Sequence, residues 1–220
     1  SAARYAAVNA SELALDASGL PIHVVVMELM GRNAGWVTAA SAMAKRLTTC
    51  EQLIYLPEVP VDEDRMLADI EKAYAKGNGL LVTVSEGICG LDGKGGAAQH
   101  ISDQIMQKLG IKSRAEKPGL LGRTSIPYVS PVDRQEAYDV GSFAVEAALR
   151  GESGHMVAIE AHRKPSYSSR LFLTPLAGVA NAEKKFPLEW IIDGNQIADE
   201  FFEYASPLMG GDLPQFAFLR

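Results

Sequence analysis

The sequence predicts an α/β protein, a Rossmann-like three-layer α/β/α arrangement with a mainly parallel sheet, on three observations. Runs such as "VVVMEL" and "LLVTVS" place apolar residues at successive rather than alternating positions, as strands buried on both faces do. Segments of helical periodicity with orthodox start and stop signals separate them. The chain has 220 residues and is 47% hydrophobic, enough to bury a substantial core.

The elements follow in order. Ala2, Ala3, Tyr5, Ala6, Val8 and Leu13 lie on a helical pattern, and the absence of an initiator methionine predicts a piece of a longer protein. After a Ser-Gly-Leu-Pro turn, "IHVVVMEL" reads as a strand and the Ala-rich run Ala34–Leu47 as a helix. "QLIYLPE" is a second strand, ended by Pro57 and Pro60. The next helix, "VDEDRMLADIEKAYAKG", has an acidic start, a basic end and a terminal glycine. "GLLVTVSEG" is a third buried strand, followed by the loop "GICGLDGKGG" and the helix "AQHISDQIMQKLG". A long helix is expected over Val132–Arg150 and a further strand at "HMVAIEAH", with a less regular tail after about Pro165.

Composition narrows the function. The net charge of −6 argues against a general nucleic-acid or anionic-membrane binder, so an anion site must be a local cluster of Arg or Lys. Cys50 and Cys89 fit no metal-ligand spacing and are expected as reduced, buried or inert thiols in a cytoplasmic setting. No apolar run approaches the ~18 residues of a membrane span, and the first residues lack the marks of a signal peptide. His23, His100, His155 and His162 show no metal spacing. "VSEG" is no nucleophile elbow, and "GLDGKGG" lacks the Walker A spacing, so it reads as a mobile loop.

Three places can carry chemistry, because ligands of parallel sheets gather at the carboxyl ends of strands. At Met30-Gly31-Arg32, the glycine permits close backbone approach, a following helix offers free N–H groups, and Arg32 adds donors suited to phosphate. An ordinary strand-to-helix turn with a solvated arginine fits the same spacing. Glu86, ending the third strand, can accept hydrogen bonds from sugar hydroxyls or orient an arginine, or be a plain strand-end acid. Lys112, Arg114, Lys117 and Arg123 crowd into a dozen residues of an acidic protein, either a phosphate site or a solvated basic loop.

The order of "MELMGRNAGW", "VTVSEG" and the pair Arg114 and Arg123 resembles the phosphofructokinase family, and "SPVDRQEAYDVGSFAVEAALRGESGHMVAI" resembles the family segment that crosses back to its first domain. The tail "KKFPLEWI", continuing to "GNQIADEFFEYASPLMGG", is similar to the pyrophosphate-dependent branch. The resemblance implies a C-terminal half: residues 1–123 with about 175–220 as the sugar-phosphate domain, and 124–174 packing on a missing N-terminal donor domain. It implies that Met30 and Gly31 meet fructose 6-phosphate, that Arg32 stabilises the phosphoryl group in transfer, and that Glu86 binds sugar hydroxyls. Arg123 would hold the 6-phosphate and Arg114 would do so too, for a site in a neighbouring subunit of a dimer or tetramer. The pyrophosphate donor with Mg2+ and the general base would lie on Gly-Gly-Asp and Thr-Ile-Asp segments upstream of Ser1. The chain alone is therefore expected not to turn over, the parent enzyme being a glycolytic 6-phosphofructokinase. An ATP-dependent relative and a non-catalytic binding subunit are the alternatives. Two departures stand out: His23 replaces a family arginine, and Leu120 a family histidine or tyrosine, both at positions implied to hold the 6-phosphate.

Overall fold

The structure, a computed structural model, describes residues 1–20, 23–88 and 96–217. Helix α1 (Ala2–Gly19) leads to strand β1 (His23–Leu29), then come helix α2 (Trp36–Ala39), β2 (Glu51–Tyr55), α3 (Glu63–Tyr74) and β3 (Leu80–Ser85). Helix α4 (Ala97–Gln104) and strand β4 (Lys112–Glu116) complete a four-stranded sheet in the order β2-β3-β1-β4, all parallel. The expected fold class is thus the observed one.

Side-chain alternation explains why the strands are apolar throughout. On β1, Val25, Met27 and Leu29 enter a core built with α1, the segment after α2 and the C-terminal helix α7 (Asp199–Ala205). Val24 and Val26 point the other way, into a core with Met66 and Ile70 of α3 and Ile101 of α4. Each of these buried apolar side chains contributes about 1.5–3 kcal/mol. Helix α1 lies close to its neighbour because small residues meet small residues: Ala6, Ala10 and Ala14 are buried beside Ala40 and Ala44. That neighbour differs from the single helix expected over Ala34–Leu47. Only Trp36–Ala39 is α-helical, and Ala40–Arg46 tightens into 3₁₀ turns. In α3, Asp62 caps the helix by accepting from the Arg65 N–H at 2.9 Å, which fits its acidic start.

Strand β4 was not expected, because its cations read as a basic loop. Its exposure alternates, with Lys112, Arg114 and Glu116 outward, the charged signature of an edge strand. After α5 (Leu121–Thr124), helix α6 (Pro131–Leu149) begins at the Ser130 cap and leads to β5 (His155–His162). Strand β5 does not join the parallel sheet. It forms an antiparallel hairpin with β6 (Ser168–Pro175), a regular strand inside the region expected to be irregular. A short pair, β7 (Ile191–Ile192) and β8 (Gln196–Ile197), covers the β2 edge, where the Ile54 N–H donates to the Asn195 carbonyl. The helix α6 and the hairpin leave apolar side chains in the open: Leu149 is 84% exposed, and Val145, Met156, Ile159 and Phe172 are also exposed.

Cys50 is buried in the first core, and burial pushes its thiol up to about 11, with Glu51 nearby acting in the same direction and a hydrogen bond involving the Leu81 backbone opposing it. Iodoacetamide at pH 8 is expected to spare Cys50 in the native protein and to label it after denaturation, read by peptide mass mapping. Rapid native labelling would contradict this burial. Cys89 and residues 90–95 of the "GLDGKGG" loop lie outside the described residues.

Candidate functional site

At the carboxyl end of β1 the chain turns sharply. Gly31 adopts φ +144°, and a Cβ there would sit 2.7 Å from the Ala34 carbonyl oxygen, so glycine is required for the turn. The end of β3 lies alongside, its Glu86 N–H donating to the Leu29 carbonyl at 3.0 Å. The next residue, Gly87, touches the backbone of Arg32 so closely that a Cβ would fall 1.8 Å from the Arg32 carbonyl oxygen. Two segments far apart in sequence are thereby held as one corner. The buried hydroxyls of Thr38 and Ser85, 2.7 Å apart, tie α2 to the same strand end.

The corner forms one wall of a cleft of about 260 Å3, with Met30 and Gly31 on one side and Pro118, Gly119 and Arg123 on the other. Tyr5 of α1 and Val37 of α2 contribute to its lining. Burial first, and then Tyr128 and Glu12, raise the Tyr5 phenol above its ordinary value. Arg32 and Glu86 are exposed beside this cleft. A convergent apolar hollow with a few polar groups at strand ends is the usual form of a small-molecule site.

The expected residues therefore divide. Met30, Gly31 and Arg123 share the cleft, and Arg32 and Glu86 flank it. Arg114 does not join them: it pairs in register with Val25, five residues back from Met30 along β1 and so about 16 Å away at strand spacing. His23 is further still, buried at the amino end of β1 beside Asp16, with Nε2 3.5 Å from Oδ2. Leu120 is exposed at the start of α5. The helix N-terminus expected just after Arg32 is also displaced. Helix α2 begins only at Trp36, and the Gly35 N–H is taken by the Glu58 carboxylate at 3.0 Å.

Three features were not anticipated. Glu28 is 2% exposed yet lies within the apolar strand, where its carboxylate meets Lys117, the cation that had been counted with the basic cluster. The signal for it was present: an acid inside "VVVMEL" interrupts a doubly buried strand. The second is an aromatic clasp over the corner, in which Trp36 packs against Phe186 at 5.1 Å and Tyr204 at 5.0 Å. The Trp36 indole donates to the Lys184 carbonyl and the Lys185 ammonium to the Asn33 carbonyl, so the tail closes on the residues just after Arg32. Hydrogen bonding from Lys185, then from Asn33, holds the Glu183 carboxyl below its ordinary value. The third is a Gly-Gly-Asp sequence at Gly210–Asp212, a tripeptide expected only upstream of Ser1. Here it ends a 3₁₀ turn rather than a strand, and Arg4 donates to the Gly211 and Asp212 carbonyls.

Residues 1–148 match the profile of a protein family described as Phosphofructokinase. The chain belongs to the phosphofructokinase family. Among relatives, the pyrophosphate–fructose 6-phosphate 1-phosphotransferase of Rhodospirillum rubrum is 35% identical, the match covering 100% of this chain and 60% of the relative. A sulfofructose kinase of Alkalicoccus urumqiensis is 31% identical over 92% of this phosphofructokinase-family chain and 57% of its own length. The crystal structure of a pyrophosphate-dependent phosphofructokinase from Nitrosospira multiformis superposes with a TM-score of 0.88 at 34% identity, covering 99% of this chain and 56% of that one. The chain thus spans less than two thirds of the length of these relatives.

No group of three or more His, Cys, Asp or Glu that could hold a metal occurs among the described residues. Glu28, a buried acid in the cleft lining, is already engaged by Lys117 and by the Ala98 N–H at 3.1 Å. The described residues therefore do not fit a magnesium cage. No helix among them is long and apolar enough to cross a membrane.

Proposed function

We propose that the chain is the sugar-phosphate-binding part of a pyrophosphate-dependent 6-phosphofructokinase, which transfers a phosphoryl group reversibly between pyrophosphate and the 1-hydroxyl of fructose 6-phosphate. The observation that carries this reading is Arg123 facing the Met30-Gly31 corner across a cleft at the strand ends. A guanidinium there holds the 6-phosphate by charge-assisted, bidentate hydrogen bonds, while the apolar walls pack the sugar carbons. Glu86 accepts from sugar hydroxyls, and Arg32 offsets charge on the phosphoryl group in transfer. The exposed edge position of Arg114, far from this cleft, suits a role in a neighbouring subunit of a homo-oligomer.

Phosphoryl transfer relies on positioning, a base and cations assembled together. In this proposal the base, the donor and its Mg2+ belong to the rest of a longer protein, and this chain binds sugar phosphate without turning it over. Its exposed apolar side chains on α6 and the hairpin favour packing against that remainder.

Arg123→Ala is expected to weaken fructose 6-phosphate binding by roughly 1.5–3 kcal/mol, about 10- to 150-fold, the worth of a charge-assisted hydrogen bond. Isothermal titration on the protein at its natural length checks it, and an unchanged affinity removes the pocket assignment. One observation favours a second reading: Arg123 is the cation on the cleft wall, and a single guanidinium also suits the monoanionic sulfonate of a sulfonated fructose. Titration with both sugars separates the two, because each reading requires its own acid group to bind more tightly.

A further inference from the structure

We propose that Glu28 and Lys117 form a positioning pair that sets Arg123 for the sugar acid group, a role that rests on the pocket reading above and goes one step beyond it. Glu28 sits on β1 two residues before Met30, pointing to the α4 side of the sheet. Its Oε1 lies 2.5 Å from the Lys117 ammonium, and its Oε2 accepts from the Ala98 N–H at 3.1 Å. Gly96 has no side chain to cap α4, and a Cβ there would come within 2.9 Å of Oε2, so the backbone approaches a carboxylate supplied by another element.

One buried carboxylate therefore joins three segments: the end of β1, the start of α4, and the turn after β4. That turn runs from Lys117 through Pro118 and Gly119, which line the cleft, to Arg123 four residues further on. A carboxylate at 2% exposure is costly to bury without a counter-ion, so it draws Lys117 strongly toward the sheet. The Lys117 side chain is 55% exposed, and among the described residues Glu28 is the acid that pairs with its ammonium. The ion pair thus fixes where the Arg123 turn meets the Met30-Gly31 wall. Glu28 reaches the cleft lining from the buried side, whereas Lys117 is absent from it, which separates the role of Lys117 from that of Arg123.

The test is a double-mutant cycle for fructose 6-phosphate binding on the protein at its natural length, with Tm measured without ligand for every variant. Lys117→Met and Glu28→Gln, the latter keeping shape and an acceptor for Ala98, should each weaken binding about tenfold when Arg123 is present, as loss of a charge-assisted interaction does. In an Arg123→Ala background each should change binding less than about twofold, because nothing remains to position. Lys117→Arg, which keeps the charge, should restore most of the affinity. Equal losses in both backgrounds would mean that Lys117 touches the ligand or acts through general stability, and would overturn the pair; so would no loss in either. Falling Tm values alone would not produce the background dependence. Failure of the wild type to bind, or of Arg123→Ala to weaken binding, would instead bring down the pocket reading, and the pair with it.

Discussion

Phe186→Ala lowers the melting temperature by about 6–20 °C, from a loss of about 3–5 kcal/mol for a deleted core phenylalanine and about 2–4 °C per kcal/mol in a chain of this size. Phe186 is 1% exposed and packs against Trp36, Trp190 and Phe201 at ring distances of 5.1, 5.8 and 5.4 Å. Its N–H donates to Glu58 Oε1 at 2.8 Å, and the same oxygen accepts from Gly35. Truncation leaves a cavity beneath Trp36 and loosens the tail that closes on Asn33. The damage should therefore reach the corner as well as the core. Phe186→Leu, which refills most of the volume, should fall between wild type and alanine. Thermal unfolding followed by near-UV circular dichroism reads both, and a shift below about 2 °C for the alanine variant would show that the tail lies outside the cooperative unit.

Gly87→Ala is expected to cost about 3 kcal/mol, the upper end of the overpacking range, because the obstacle is backbone and cannot rotate away. The added methyl would meet the Arg32 carbonyl oxygen at 1.8 Å and the Arg32 Cα at 2.6 Å. One of the two strand ends must retreat, carrying Glu86 away from Arg32. Fructose 6-phosphate affinity should fall about tenfold or more, equivalent to losing one charge-assisted contact. Gly19→Ala is the control: nothing lies within 4 Å of its Cβ, and it should leave both Tm and affinity unchanged. Retention of wild-type stability and affinity by Gly87→Ala would refute the contact between the two strand ends.

Much of this was legible in the sequence. The doubly buried strands announced a parallel sheet by their successive apolar residues, and the sheet places their carboxyl ends together, as the positions of Met30, Gly31 and Glu86 require. Asp62 and the acidic first turn of α3 predicted its start correctly. These features are local, governed by side-chain period and by backbone groups within a few residues of one another.

What remained hidden depended on which segments meet. Strand β4 was obscured because an edge strand carries its charges outward, and charge read along the chain resembles a loop. The partner of "HMVAIEAH" went unrecognised because "SSRLFLTP" pairs with it in a hairpin outside the main sheet, a choice that neither strand's composition makes by itself. The basic cluster read as either a phosphate site or a solvated loop, whereas register sends Arg114 along the strand, gives Lys117 to Glu28 and leaves Arg123 at the cleft. By itself, the sequence determined the α/β class, the parallel strands and the glycine-arginine corner, because hydrophobic period and turn chemistry act over a few residues. Only the tertiary structure decided which cation serves the cleft and which neutralises a buried acid, because burial of Glu28 and the register of β4 arise from contacts between segments some 70 to 90 residues apart.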